Sequence, residues 1–289
     1  MLHFSVDAAR CNRCGQCVLD CPSSIIEQHG QSVPKISRKN SLDCIECQHC
    51  LAICPNAAVS ILKRKPEDSL PLDRDGLPRL EQMNLLLRGR RSVRRYKDEN
   101  VRPELIRQLL AAVANAPSGI NRRKLTLSVI DDKDTMQNLR ERSLAGLAAA
   151  AEAGMIPDGL DYLKEAPSAY RQDKRDILFR SAPHALIVSA GPEAACPSED
   201  ATLALAYFEL LAQSAGLGTV WWGLFKMLMQ ALPELKPLIG IPADHPYCYA
   251  MLFGIPAVRY ARTVQRDDAA VVRRIVMGKT REPDRPVSS

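Results

Sequence analysis

Two copies of one cysteine spacing fill the first 54 residues of this 289-residue chain and strongly limit how that segment can fold. Both copies follow the pattern C-x2-C-x2-C-x3-C-P, and each position recurs 33 residues later. They hold eight of the ten cysteines: Cys11, Cys14, Cys17 and Cys21, then Cys44, Cys47, Cys50 and Cys54. Because this segment is too short to build a large apolar core, we expect bound metal to stabilise it instead.

This spacing favours iron–sulfur clusters over the other uses of cysteine. Structural zinc sites commonly take two C-x2-C pairs a dozen or more residues apart. Disulfides need an oxidising compartment, and the opening MLHFSVDAAR lacks the apolar stretch of a signal peptide. The pattern therefore predicts two [4Fe–4S] clusters, and in such runs the fourth cysteine ligates the other cluster. The predicted ligand sets are Cys11, Cys14, Cys17 and Cys54 for the first cluster, and Cys44, Cys47, Cys50 and Cys21 for the second.

This segment resembles the bacterial two-cluster ferredoxins over residues 1 to about 62, and its two halves form an internal repeat. His49 lies beside cluster cysteines, but four cysteines already complete each site, so we expect His49 at the surface. Cys196 and Cys248 lie outside the runs and are predicted to be small buried side chains.

The rest of the chain is long enough for a second domain. Residues 63–80 are rich in proline and charge and are predicted to be a linker, which gives domains at 1–62 and 81–289. The formal net charge is +6, but the basic residues are scattered and only 5% of residues are aromatic, so no nucleic-acid partner is expected. Apolar runs end well before 18 residues, so we expect no membrane span and a cytoplasmic protein.

Helical and extended patterns alternate in the second part. The pattern lacks the short βαβ rhythm of a doubly wound sheet, which predicts an α+β fold. Residues 155–180, where prolines and charges mix, are predicted to be a partly mobile insertion. Helices are predicted near 81–90, 103–114, 134–154 and 199–215, and strands at 125–130, 184–190, 219–223 and 249–254.

Five arginines within eight residues form the densest charge feature: Arg88, Arg90, Arg91, Arg94 and Arg95, around Ser92. Guanidinium groups bind phosphate bidentately, and a serine hydroxyl can add a hydrogen bond. The alternative is a solvated basic face near a helix C-terminus, where the helix dipole favours cations.

Four motifs in order resemble the FMN-dependent nitroreductase family over residues 81 to about 270: R-x-S-x-R at 90–94, P-S-x-x-N at 117–121, G-L-G-T-x-W-x-G at 216–223 and G-x-P-A at 254–257. The resemblance implies a nitroreductase-like α+β domain, with a mixed or antiparallel sheet flanked by helices and FMN at a homodimer interface. It implies that Arg90, Ser92 and Arg94, with Arg91 beside them, hold the phosphate, the ribityl chain and the N1–C2=O side of the flavin. It further implies that Pro117, Ser118 and Asn121 contact the flavin from the other subunit, that Trp222 and Gly223 lie near flavin N5, and that Arg262 or Arg266 closes on the phosphate.

Two departures from the family bear on substrate contacts. The P-S-x-x-N loop continues with Arg122, Arg123 and Lys124, where the family usually has Q-P-W. Trp222 stands where some relatives carry an acidic residue, and a core tryptophan on a strand is the alternative interpretation of that residue.

Together these features predict an iron–sulfur flavoprotein oxidoreductase that needs no catalytic nucleophile, because the protein supplies position and electrostatics. A low-potential donor, which could be a ferredoxin, a flavodoxin or NAD(P)H, would reduce the clusters. FMN would then deliver hydride to an electron-poor acceptor such as a nitroaromatic or a quinone. Two alternatives stay open: an electron-transfer or redox-sensing module without small-molecule turnover, and a specialised flavin dehydrogenase of the same superfamily.

Overall fold

The computed structural model describes residues 2–73, 75–266 and 270–277. Its cysteine-rich segment forms a small unit of short elements. These are strands β1 (Phe4–Val6), β2 (Ile26–Glu27), β3 (Lys35–Ile36) and β4 (Val59–Ile61), with helices α1 (Gln16–Leu19) and α2 (His49–Ala52).

The two halves of this unit are built alike. Strand β1 pairs antiparallel with β4, so that Phe4 lies opposite Ile61, and β2 pairs antiparallel with β3. Helices α1 and α2 each follow a residue in the left-handed region, Gly15 and Gln48, with φ of 71° and 62°. The third cysteine of each run lies on one of these helices and is buried with a few isoleucine, leucine and valine side chains. The thiols are therefore part of the small core.

The predicted linker is exposed almost throughout. Residues 63–73 and 75–80 are exposed except for half-buried Pro66. Contacts with the cysteine-rich unit are made by Glu67, whose carboxylate pairs with the Arg10 guanidinium, and by Arg64, which exchanges backbone hydrogen bonds with Ile61. The domain boundaries at 62 and 80 stay predictions.

The second part of the chain contains seven helices and four strands among its described residues. The helices are α3 (Leu80–Gly89), α4 (Pro103–Val113), α5 (Lys133–Glu152), α6 (Glu165–Asp173), α7 (Pro197–Ser214), α8 (Leu224–Ala231) and α9 (Leu235–Leu238). The strands are β5 (Leu125–Ile130), β6 (His184–Ala190), β7 (Gly218–Trp221) and β8 (Tyr247–Gly254).

The four strands form an antiparallel sheet in the order β5-β6-β8-β7. Strand β6 is buried along its whole length, because helices cover both faces of the sheet. One face packs against α5 and α8, and the other against α4 and α7. This two-sided burial explains why the β6 sequence HALIVSA is a continuous apolar run rather than an alternating one.

The prediction for residues 155–180 missed a packed part of the core. Helix α6 lies within this segment, and Leu163, Leu178 and Phe179 are buried against α5 and the sheet. Arg140 on α5 donates to the Asp176 carboxylate at 2.7 Å, with both side chains buried. The same carboxylate accepts from the backbone N–H groups of Phe179 and Ser181. The segment therefore packs into the fold instead of forming a loose insertion.

Helix α3 is different, because none of its residues is buried within one chain. Leu80, Leu85 and Leu87 expose 80%, 66% and 52% of their surface. Within the described ranges, no helix, α3 included, combines the length and apolar character that crossing a bilayer requires.

Candidate functional site

Four cysteines from both runs surround one cavity in the small unit. Cys44, Cys47 and Cys50 come from the second run, and Cys21 comes from the first. The rest of the wall is largely apolar and includes Ile25, Ile26, Ile36, Ile45 and Ile61. This grouping is the one that crossed ligation of a cluster requires.

The other four cysteines are also close to one another. Burial raises the pKa of the Cys17 thiol, and the neighbouring thiols of Cys54, Cys11 and Cys14 raise it further. Burial also raises the pKa of Cys50 to about 12, with smaller contributions from Cys47 and Cys44. So dense a set of thiols is costly to ionise without a cation, and iron supplies the compensating charge.

Backbone N–H groups already donate to cysteine sulfurs. The Ala58 N–H donates to Cys54 Sγ at 3.2 Å, and the Glu46 N–H donates to Cys44 Sγ at 3.4 Å. Hydrogen bonds to sulfur are one of the means by which proteins set cluster potentials. The residues present therefore fit two [4Fe–4S] clusters, while the ligand assignment residue by residue stays a prediction.

Backbone hydrogen bonds bring three of the four motifs of the second part together. The Val93 N–H donates to Thr219 O at 2.8 Å, next to a parallel bridge between Ser92 and Thr219. The Lys97 N–H donates to Ile255 O, and the Ala257 N–H donates to Arg95 O, each at 2.9 Å. The arginine segment, residues 90–97, is thus held between β7 and the turn after β8.

Gly218 is required for this close approach. A Cβ atom at Gly218 would lie 2.8 Å from the Cβ, Cγ1 and Cγ2 atoms of Val93. Any side chain there would push the arginine segment away from β7, which accounts for the second glycine of the G-L-G-T motif.

The predicted phosphate arginines differ in their surroundings. Arg90 Nη1 lies 3.0 Å from Glu209 Oε1 on α7, and the two side chains are 23% and 9% exposed. Arg94 is exposed and donates only locally, to Ser92 O at 3.2 Å. Arg90 is therefore committed to a carboxylate, whereas the Arg94 guanidinium faces solvent.

A cleft of about 620 Å³ lies beside this segment. Arg91 and Arg262 are on its wall together with Arg259, a basic residue that the motif comparison did not single out. Arg266 is exposed but does not line the cleft. Several guanidinium groups around one cleft can bind a phosphate group.

The loop at 117–121 is held from a different direction. The Gly119 N–H donates to Asp200 Oδ1 at 2.8 Å, and the Arg123 N–H donates to Ser118 Oγ at 3.0 Å. Pro117, which precedes these residues, is exposed. The Asn121 side-chain amide donates to Ile45 O, in the cysteine-rich unit, at 2.8 Å. The bonds that hold this loop thus run to α7 and to the second cysteine run, not to the arginine segment.

Cys196 corrects one prediction. It is exposed, not buried, and a Cβ at Gly119 would lie 2.9 Å from its Sγ atom. Pro197 follows it and starts α7, so the turn into the helix holds Cys196 at the surface. Cys248 is half-buried. His49 is exposed, as predicted.

The two residues predicted beside flavin N5 face different surroundings. The Trp222 side chain is 2% exposed and lies in the core, with ring centroids 4.9 Å from Phe179 and 5.1 Å from Phe225. This placement matches the alternative interpretation of Trp222 as a core residue. Gly223 is exposed, and a Cβ added to it would meet nothing within 4 Å. Its backbone can therefore approach a flat ligand, which fits a flavin.

Sequence reasoning missed two acidic residues on α7. Glu209 pairs with Arg90, and Asp200 holds Gly119. They lie nine residues apart, which is about 13 Å along a helix. Both are buried charges within an otherwise apolar helix, and that contrast was the available signal, because buried carboxylates are seldom left without a partner.

Comparisons with known proteins agree with this description. Residues 87–255 match the nitroreductase family, and residues 3–55 match the 4Fe-4S dicluster domain. An NADH dehydrogenase of Thermus thermophilus is 30% identical over 190 residues, which is 63% of this chain and 89% of that protein. A ferredoxin-like protein in the nif region of Sinorhizobium fredii is 36% identical over 55 residues, 18% of this chain and 84% of that protein.

A solved structure shares the fold of the larger part. The crystal structure of a Bacteroides fragilis nitroreductase with bound FMN superposes with a TM-score of 0.53 at 21% identity, covering 66% of this chain and 99% of that one. The predicted α+β fold and the predicted two-cluster ferredoxin unit are thereby confirmed. The chain belongs to the nitroreductase family of oxidoreductases and carries a 4Fe-4S dicluster domain ahead of its nitroreductase fold.

Proposed function

We propose that this protein is an iron–sulfur flavoprotein oxidoreductase that passes electrons between two [4Fe–4S] clusters and FMN. The observation that carries the proposal is the joining of two sets of four cysteines to a nitroreductase fold in one chain. Bound FMN supplies hydride transfer at N5 and exchanges one or two electrons, whereas each cluster exchanges one. The pairing suits conversion between one-electron carriers and a two-electron reaction.

Some of the described residues would contact FMN, and others would hold the arginine segment in position. Arg91, Arg259 and Arg262, on the wall of the cleft, are basic groups available to the phosphate, and the exposed Arg94 is available to the N1–C2=O side. A cation on that side favours added negative charge on the flavin. Arg90, paired with Glu209, keeps the segment in place. The Gly223 N–H donates to Trp221 O at 3.0 Å, and the exposed Gly223 backbone leaves room for the flavin ring beside it.

The exposed face of α3 supports a homodimer. Helix α3 is amphipathic, and an apolar helix face with no buried residue in one chain calls for a partner surface. Leu203 and Tyr207 on α7 are also 39% and 40% exposed, and an apolar cleft lies between α3 and α7. A second copy of the chain is the occupant that we propose, with FMN at the shared interface.

We expect Leu85→Arg to weaken this dimer and, because Leu85 also lines the cleft that holds Arg91 and Arg262, to lower its FMN content. A charge in an apolar interface stays unpaired when two copies meet and costs several kcal/mol, on the order of 3. Size-exclusion chromatography with light scattering and an FMN assay would measure both effects. The matched control is Leu238→Arg, since Leu238 is 60% exposed on α9; it should stay dimeric. A dimer that survives Leu85→Arg unchanged would contradict the assignment of this face.

The donor and the acceptor are proposed by chemical class. A low-potential one-electron donor charges the clusters, and an electron-poor nitroaromatic or quinone accepts hydride. The name of the Thermus thermophilus relative, an NADH dehydrogenase, favours a second direction in which NAD(P)H is the reductant and the clusters carry electrons away. A cytoplasmic location stays a prediction.

Anaerobic reduction of the purified protein tests the proposal. Protein prepared without oxygen should contain about eight irons and one FMN per chain. Photoreduction of the clusters should then bleach the flavin absorbance, and NADH should be tested separately as the reductant. Reduced clusters beside flavin that stays oxidised would refute internal transfer, and zinc in place of iron would refute the cofactor assignment.

A further inference from the structure

One side chain of the loop at 117–121 joins the two halves of the chain. Asn121 Nδ2 donates to Ile45 O at 2.8 Å, and both residues are partly buried. Ile45 follows Cys44 directly, and only Glu46 separates it from Cys47. The bond therefore ends on the short loop that supplies two ligands to the second cluster.

The loop that carries Asn121 is strained, which indicates that its shape is imposed. Ile120, Asn121 and Arg123 have φ of 44°, 56° and 52°. Asparagine tolerates this left-handed region, but a β-branched isoleucine does so only where its surroundings enforce it. Asp200 holds the loop from α7 through Gly119, and Ile45 holds it from the cysteine-rich unit. Two anchors from different parts of the chain thus fix one strained turn.

Charged residues of opposite sign flank the hydrogen bond. Arg122 and Arg123 follow Asn121 and are exposed, and Glu46 is exposed beside Ile45. Four cysteinates around each oxidised cluster add net negative charge to the cysteine-rich side. Opposite charges of this kind contribute more to the orientation of a docked surface than to its binding affinity.

We propose that Asn121 is a positioning residue. Its hydrogen bond to Ile45 O docks the loop Cys44–Cys47 against the loop at 117–121, which lies beside FMN. The cluster that Cys44, Cys47, Cys50 and Cys21 would hold would then be the one that passes electrons to FMN, and the other would accept them from the external donor. This inference rests on the proposed function, since it assumes FMN beside residues 117–121. Two one-electron transfers, each replenished by the low-potential donor, balance one two-electron reduction of FMN, with protons taken from water.

The inference assigns Asn121 a partner other than the one expected from the family motif. Its side-chain amide is directed to a backbone carbonyl of the cysteine loop, and its Oδ1 atom remains available to a ligand. Electron transfer falls steeply with distance, so a bond that fixes the spacing of the two loops affects the rate without touching the reacting atoms.

The test compares Asn121→Asp with Asn138→Asp in the full chain with its cofactors. Both variants exchange an amide for a carboxylate, but only Asn121→Asp loses the donor to Ile45 O; Asn138 lies exposed on α5 and accepts from Arg142. Hydrogen exchange of the amides at 44–48 and 118–123 reports docking. Stopped-flow bleaching of the flavin after cluster reduction reports transfer, and FMN content reports binding.

For Asn121→Asp we expect amide exchange at 44–48 to be roughly five-fold faster, as loss of one hydrogen bond implies, and flavin bleaching to be slower per bound FMN. Asn138→Asp should match the wild type. Equal exchange at 44–48 in both variants overturns the docking, as does a loss of FMN without any change at 44–48. Asn121→Ala against Asn138→Ala covers the case in which the added charge unfolds the loop. If wild-type flavin never bleaches, the proposed function fails, whereas the exchange comparison still decides the docking.

Discussion

Replacing Cys21 by serine is expected to remove the same cluster as replacing Cys47 by serine, although the two residues belong to different runs. The structure groups Cys21 with Cys44, Cys47 and Cys50 around one cavity. A hydroxyl is a poor substitute for the soft thiolate that iron–sulfur clusters select. Each single variant should therefore fall from about eight irons per chain to about four.

Double variants give the decisive comparison. With crossed ligation, Cys21→Ser combined with Cys47→Ser still leaves about four irons, while Cys21→Ser combined with Cys14→Ser leaves none. Ligation within each run gives the opposite result for the two pairs. Iron and sulfide analysis of protein prepared without oxygen measures the cluster content of both double variants. Cys196→Ser is the matched control, because this exposed thiol lies outside the runs and should leave the iron content unchanged.

Arg90→Met should lower the stability of the fold, whereas Arg94→Met should lower the affinity for FMN. Arg90→Met leaves the Glu209 carboxylate without its partner, which costs about 3–5 kcal/mol for a fully buried pair and about 2–3 here, because Arg90 is 23% exposed. Arg94→Met removes only an exposed cation. Loss of a charge-assisted bond to FMN of about 1.5–3 kcal/mol should weaken FMN binding roughly 10- to 100-fold.

The measurements are thermal unfolding of the FMN-free protein and FMN titration. Arg90→Met should unfold several degrees lower, and Arg90→Met combined with Glu209→Leu should recover most of that loss, because an apolar pair can replace a buried ion pair. Arg94→Met should unfold like the wild type and bind FMN weakly. If Arg90→Met unfolds normally and only FMN binding suffers, the structural role of the Arg90–Glu209 pair is wrong.

The features that the sequence predicted well are those encoded by local spacing. The cysteine runs specify their own loops, and strands β5 and β6 lie at the predicted positions because short apolar runs of β-branched residues have few alternatives. The motifs at 90–94, 216–223 and 254–257 meet at one place because β7 and β8 are paired strands.

The features that escaped prediction depend on contacts between distant segments. Residues 155–180 resemble a loop by composition, but Arg140 binds Asp176, and Leu163 and Phe179 complete the core. Nothing in the loop at 117–121 indicates that Asn121 donates to Ile45, 76 positions away. Likewise, Trp222 could be assigned to a pocket or to the core only once Phe179 and Phe225 were seen against it.

The pairing of β1 with β4 has a consequence for how such a chain could have arisen. Because Phe4 lies opposite Ile61, the cysteine-rich unit enters and leaves its own fold at the same edge. A unit with adjoining ends can be joined to another protein at a single point without being pulled open. Gene fusion would then need to supply only a linker between the two proteins. Selection would act on the few surface residues where the two proteins meet and would leave the core of each one unchanged.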